Sequence, residues 1–253
     1  MTDIVRAAVM AAPRAPIELR ELPWPALEPG AAMLRTTYSE VCGTDVHLHH
    51  GKLSGVPYPI VPGHVSVGRL AAIRGQVRDV HGAPFKEGDL VTFLDVHETC
   101  GRCYECLVTK QTTRCPHRKV YGITYGVADG PLGGWADHIW MKPGVKLLRF
   151  PEHVNPATFI AGGCGLVTSV HAVERGEVRL GHSVAVLGAG PVGIAAAALA
   201  RLSTILADFE LPVMVESGSP HLAELGEPRL PFRETTPQEL QRVATSSNYV
   251  MRF

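Results

Sequence analysis

Cys100, Cys103, Cys106 and Cys115, spaced C-x2-C-x2-C-x8-C, carry the plainest chemical potential in the chain. Four thiolates on one loop can wrap a tetrahedral zinc ion, and a site closed by four protein sulfurs keeps no position open for chemistry. Two disulfides are one alternative reading. An iron–sulfur run is another, because such runs also begin C-x2-C-x2-C and end in Cys-Pro, as Cys115-Pro116 does. That run closes with C-x3-C-P, whereas eight residues precede Cys115 here. The spacing therefore favours a structural zinc.

Six cysteines are present, so two remain. Each lies in a glycine-flanked turn: Cys42 in Val-Cys-Gly-Thr-Asp-Val-His and Cys164 in Gly-Gly-Cys-Gly-Leu. With His64 in Pro-Gly-His-Val they make three ligands of mixed sulfur and nitrogen type. Such a set leaves a fourth position for water or substrate, the arrangement of a catalytic metal. Taken singly, a cysteine reads as a small core hydrophobe, and a histidine as a hydrogen-bonded structural residue. A third pattern is Gly188-x-Gly190-x-x-Gly193, between the apolar run Ser183–Leu187 and an Ala-rich stretch. Glycines there allow a tight turn and let backbone approach a pyrophosphate seated on a helix N-terminus. An acidic residue about 20 positions on would bind the ribose. Asp208 fits, with Glu210 as a second candidate; an ordinary surface carboxylate is the plain alternative.

The elements that must position these residues change in texture near Asn155. From Ile4 to about Phe150, short apolar runs such as Arg6–Ala12, Ile17–Leu22, Ala32–Thr37, Val65–Arg74, Asp89–Leu94 and Trp135–Met141 alternate with turn residues. That pattern predicts β-strands closing into a barrel or sandwich. Beyond it, Asn155-Pro156 reads as a cap and first turn for a helix to about Glu174. Val184–Leu187 reads as a buried strand and Pro191–Leu202 as a helix. After Ser203, five prolines break the chain too often for regular βαβ units. Thr236-Pro237-Gln238-Glu239 reads as a capping box starting one helix to about Thr245.

Charges balance, 24 Lys+Arg against 24 Asp+Glu, so no bulk field recruits nucleic acid or acidic lipid. Leu180–Ala200 has no acidic or lysine/arginine residue, but its glycines and Pro191 fit a strand, a turn and a helix better than a membrane span. The N-terminal segment has too short an apolar run for a signal peptide. The expectation is a soluble, cytoplasmic chain whose cysteines bind metal.

Cys42-Gly-Thr-Asp-x-His, Pro62-Gly-His64, the four-cysteine lobe, Cys164-Gly-x-x-Thr and Gly188-Ala-Gly-Pro-Val-Gly193 occur in the order found in the zinc-dependent medium-chain alcohol dehydrogenases, which this chain resembles over residues 4 to about 203. The resemblance implies an α/β protein with a β-rich N-terminal part. A GroES-like barrel catalytic domain would occupy residues 1–155, with the zinc lobe at 97–118. The start of a Rossmann-type domain would occupy 156–204, followed by an atypical tail at 205–253. It implies two zinc ions, a structural one on the four-cysteine lobe and a catalytic one on Cys42, His64 and Cys164. It also implies NAD or NADP on Gly188, Gly190, Gly193 and Asp208. By resemblance Asp45 orients the zinc-bound imidazole, and Thr44 and His47 relay the proton of an alcohol or polyol being oxidised to its aldehyde or ketone. The partners implied are a small alcohol or carbonyl substrate and, in a homo-oligomer, further copies of the chain; nucleic acid and membrane are not among them.

Two departures stand out. The family usually carries a glutamate after the zinc-binding histidine, and here that position is Val65. From Gly181 onward, too few residues follow for several βαβ units of roughly 30 residues each, so an incomplete nicotinamide-binding domain is expected. The alternative to an enzyme is then a non-catalytic zinc-binding fragment with impaired cofactor binding.

Overall fold

Aliphatic and β-branched residues at alternating positions shape the first part of the chain into short strands. The computed structural model describes residues 4–179, 182–204, 213–216, 232–246 and 249–252. It divides into two units, Met1–Ala161 and Gly162–Phe253.

In the first unit, β1 (Ile4–Met10) and β2 (Ile17–Pro23) form an antiparallel hairpin, paired from Ile4↔Pro23 to Met10↔Ile17. There follow β3 (Ala32–Ser39), the short helix α1 (Gly43–His49), β4 (Ser66–Ile73), β5 (Leu90–Phe93), β6 (Val96–Glu98), the one-turn helix α2 (Tyr104–Leu107), β7 (Lys119–Val120), β8 (His138–Met141) and β9 (Leu147–Arg149). Five strands make one antiparallel sheet in the order β8-β3-β4-β5-β9. The hairpin joins it through an Ala7↔Ala136 bridge. Val5, Ala7 and Val9 of β1 are buried, as period-two alternation requires. They pack with Met33 and Val61, while Leu34, Leu70, Val91, Ile139 and Leu147 fill the core under the larger sheet. The strands expected from the apolar runs are all present. The pairs at the lobe and α1 were not among the expected elements, because runs of two to four residues and a single helical stretch of seven carry little periodicity.

The helix α3 (Pro156–Arg175) begins as expected, with Asn155 Oδ1 accepting from the Ala157 N–H at 2.9 Å. It is broken at Gly163, whose φ of 44° and ψ of −138° are not helical. This apolar 20-residue helix has the length of a membrane span, but the break leaves two pieces, neither long enough to cross a bilayer.

In the second unit, β10 (Val184–Leu187) leads through a glycine turn into α4 (Pro191–Thr204). Val173, Ala196 and Ala200 form a small core with Val184 and Val186 packed against it. The tail contributes β11 (Val213–Glu216), β12 (Phe232–Thr235), α5 (Pro237–Ser246) and β13 (Tyr249–Arg252). The Glu239 N–H donates to Thr236 Oγ1 at 3.3 Å, the cap expected there. Both strand pairs, β10 with β13 and β11 with β12, are parallel. Pro212 and Pro231 stand directly before β11 and β12, and Pro237 is the first residue of α5, so these three border elements instead of interrupting them.

Candidate functional site

The lobe is built by α2 and the turns around it. Cys103 caps α2, Cys106 lies inside it, and Cys106 and Cys115 are buried. Cys115 Sγ lies 3.6 Å from Cys100 Sγ and 3.9 Å from Cys103 Sγ, and all four sulfurs fall within 4.8 Å of one another. A disulfide needs about 2.05 Å, so these thiols are not bonded. Four sulfurs at Zn–S distances of about 2.3 Å in tetrahedral array would stand roughly 3.8 Å apart, which the observed separations bracket. A multi-iron cluster places sulfide and several irons between its thiolates and spreads them wider. Ionisation is uneven. The Arg102 backbone N–H and the neighbouring thiols hold Cys100 down at about 6, while burial and those same neighbours push Cys103 up to about 11. All four sulfurs could be negative together at this separation only with a cation between them.

The second set is organised by α1. Cys42 is its N-cap, with Sγ accepting from the Thr44 N–H at 3.3 Å, while Asp45 Oδ2 accepts from the Cys42 N–H at 2.9 Å. This reciprocal pair fixes the turn Cys42–Asp45. His64 is 4% exposed. Its Nε2 lies 3.5 Å from Cys42 Sγ, and its Nδ1 faces Asp45 Oδ1 at 4.0 Å. One tetrahedral zinc would hold a thiolate and an imidazole nitrogen roughly 3.6 Å apart, so the pair has the spacing of two ligands on one ion. Asp45, 2% exposed, also accepts from the Gly63 N–H at 3.4 Å. Burial raises its carboxyl, against the opposing pull of the Cys42 N–H and His64. Burial works against a charged His64, but the Cys42 hydrogen bond and the charges of Cys42, Asp45 and Asp95 outweigh it and push the imidazole up to about 9. The pocket is one that stabilises positive charge.

Two of these neighbours were not singled out in the sequence. Asp95, raised by burial, adds its charge to His64 from far along the chain. Glu40 brings a carboxylate oxygen within 4.8 Å of the Cys42 and His64 ligand atoms. Neither belongs to a motif, and only the folded sheet brings them near. Thr44 is half-buried and His47 exposed, three positions apart and so on one face of α1.

In the second unit, Cys164 directly follows the break at Gly163. Gly165 brings α3 against the start of α4: an added Cβ would stand 3.3 Å from the Val192 nitrogen. The buried Ser169 Oγ lies 2.6 Å from Gly165 O and 2.7 Å from Val192 O. At the glycine turn, Gly188 has φ of 119°, and a Cβ on Gly193 would lie 1.9 Å from Gly188 O, which only glycine permits. Among the described residues, a Cβ on Gly190 would meet nothing within 4 Å. This is the cradle a pyrophosphate needs. Asp208 and Glu210 lie outside the described residues.

A sheet-built unit with two metal-donor sets, joined in sequence to a parallel α/β unit with a phosphate-type glycine turn, defines the class. Residues 28–152 match the alcohol dehydrogenase GroES-like domain. The chain is 34% identical over 245 residues to 5-exo-hydroxycamphor dehydrogenase of Pseudomonas putida, covering 94% of this chain and 65% of that protein. It is 31% identical to an alcohol dehydrogenase of Geobacillus stearothermophilus, covering 75% of this chain and 52% of that one. An alcohol dehydrogenase structure from Thermotoga maritima superposes with a TM-score of 0.83 at 28% identity, over 98% of this chain and 70% of its own. Residues 28–152 are thus similar to an alcohol dehydrogenase GroES-like domain, and the relatives and structure that the chain resembles are dehydrogenases. The chain spans just under two thirds of the length of the Pseudomonas relative and about half that of the Geobacillus one.

Proposed function

We propose that this chain is a soluble, cytoplasmic zinc-dependent oxidoreductase. It interconverts a small alcohol or polyol and the corresponding aldehyde or ketone by hydride transfer with NAD or NADP. The observation that carries the reading is the Cys42 Sγ–His64 Nε2 separation of 3.5 Å with a buried carboxylate behind the imidazole. Cys42, His64 and Cys164 would hold the catalytic zinc, and the four lobe cysteines the structural one. The catalytic metal supplies a Lewis acid that makes an alcohol proton labile near neutral pH. Asp45 keeps the His64 ring oriented, with Nε2 toward the metal position. Thr44 takes up the alcohol proton, and His47, at the exposed end of the same helix face, passes it to solvent. Gly188, Gly190 and Gly193 receive the cofactor pyrophosphate, and Asp208 the ribose.

The non-catalytic alternative rested on the missing length of the nicotinamide-binding part. Parallel pairing of β13 with β10 beside the glycine turn, and alignment to the Pseudomonas relative over 94% of the chain, favour the catalytic reading. Metal analysis combined with NAD and NADP titration and an oxidation assay over simple alcohols and polyols tests it. Two zinc equivalents with cofactor-dependent turnover are expected; a protein that binds zinc but no nucleotide would leave only the alternative.

A further inference from the structure

Val65 carries no carboxylate next to His64, but Glu40 brings a carboxylate oxygen close to the Cys42 and His64 ligand atoms. The end of β3 pairs with the start of β4 through Ser39↔Ser66. Just beyond, the Glu40 N–H donates to Val65 O at 3.0 Å. The indole Nε1–H of Trp135 donates to Glu40 O at 3.1 Å, so both backbone groups of Glu40 are held. Ser39 Oγ and the buried Ser66 Oγ, 3.0 Å apart, tie the same strand ends together. The half-buried side chain of Glu40 offers an oxygen within 4.8 Å of both Cys42 Sγ and the His64 nitrogen.

We propose that Glu40 supplies an oxygen ligand to the metal held by Cys42 and His64, closing at rest a position that a substrate oxygen must enter. The proposal rests on the zinc reading given above. Carboxylate oxygens bind zinc at about 2.0–2.2 Å, and a tetrahedral neighbour of the thiolate and imidazole lies well inside the observed separation. The Glu40 N–H to Val65 O hydrogen bond holds Glu40 against the residue that follows His64. Substrate entry then becomes an exchange of one oxygen ligand for another, with the Glu40 carboxylate swinging free by rotation about its own side-chain bonds.

The test uses the full chain loaded with zinc, and in parallel with Co²⁺, whose visible ligand-field bands report coordination. In Glu40→Gln the more labile zinc equivalent should pass to a chelator at least about tenfold faster than in the parent. Its cobalt bands should shift on adding imidazole at a concentration that leaves the parent spectrum unchanged. Equal release rates and equal imidazole responses in the two proteins would overturn the proposal. Cys42→Ser separates this failure from failure of the underlying reading: if it keeps the parent cobalt spectrum, the metal is not held at this site at all. Should Glu40→Gln fail to fold, the cobalt parent decides alone. Insensitivity to imidazole supports a closed position, and an immediate band shift refutes it.

Discussion

Asp45→Asn tests how much the buried carboxylate behind His64 contributes. Asp45 accepts from the Cys42 N–H at 2.9 Å and the Gly63 N–H at 3.4 Å, and faces His64 Nδ1 at 4.0 Å, with 2% of its surface exposed. An asparagine keeps the shape, but one of its two ends is now an NH2 that must meet a backbone N–H. The loss of one charge-assisted bond, about 1.5–3 kcal/mol, adds to a buried donor facing a donor, about 1–3 kcal/mol. The Gly63 contact is long, so we expect about 2–4 kcal/mol in all. That is a large part of a typical stability of about 5–15 kcal/mol. All three tryptophans, Trp24, Trp135 and Trp140, belong to the first unit, so their fluorescence in urea reports its unfolding. With a slope of about 1–3 kcal/mol per molar, the midpoint should fall by roughly 1–2 M. Zinc affinity at Cys42 and His64 should drop about 10–100-fold in the same variant. A midpoint within ~0.3 M of the parent, with unchanged metal affinity, would refute the reasoning.

Cys103→Ser should lower the thermal midpoint more than Cys42→Ser, because a closed four-sulfur site contributes folding energy directly; equal midpoints in calorimetry would contradict this. Gly193→Val should abolish nucleotide binding in a titration while leaving the tryptophan-reported transition of the first unit in place, since its Cβ would stand 1.9 Å from Gly188 O. His64→Ala should remove turnover and Thr44→Ala reduce it about 10²–10⁴-fold, and full activity in His64→Ala would dispose of the mechanism. Asp89, which accepts from the Lys86 N–H and pairs with Arg149 at 2.8 Å, is held below its usual 3.8 against the opposing effect of burial. A depressed carboxyl stabilises above its unfolded value, so Asp89→Asn should be less stable than the parent near pH 6, with the gap closing as pH falls below 3.8. A gap that persists at pH 2 in urea titrations would count against it.

Much of the fold was legible because local periodicity and tertiary burial agree. Val184–Leu187 and Pro156–Arg175 read directly as strand and helix, and Asn155 and Thr236 announced their helices by caps. The donor sets were legible through cysteine spacing and the count of cysteines left over. What stayed hidden depends on distance through space. Glu40 acquires meaning only when β3 pairs with β4, and Asp95 only when the sheet brings it towards His64. The break at Gly163 was equally unreadable, because a glycine inside a helical pattern leaves the helix intact as often as it bends it. The parallel strands of the tail were obscured by prolines that border elements, a position where proline is tolerated.

The two donor sets also differ in when they can come into being. Cys100 and Cys115 are fifteen positions apart, so the lobe's four sulfurs are complete once one short stretch has left the ribosome. Closing so short a loop costs little entropy. Cys42 and His64 are separated by 22 positions, and the strand end beside them is pinned by Trp135, 95 positions from Glu40. That architecture waits for β8 and its neighbours to be made and to find their register, a slower class of event. During synthesis, metal captured by the nascent chain should therefore occupy the lobe first, and the lobe should act as an early folded seed while the His64 pocket is still unformed.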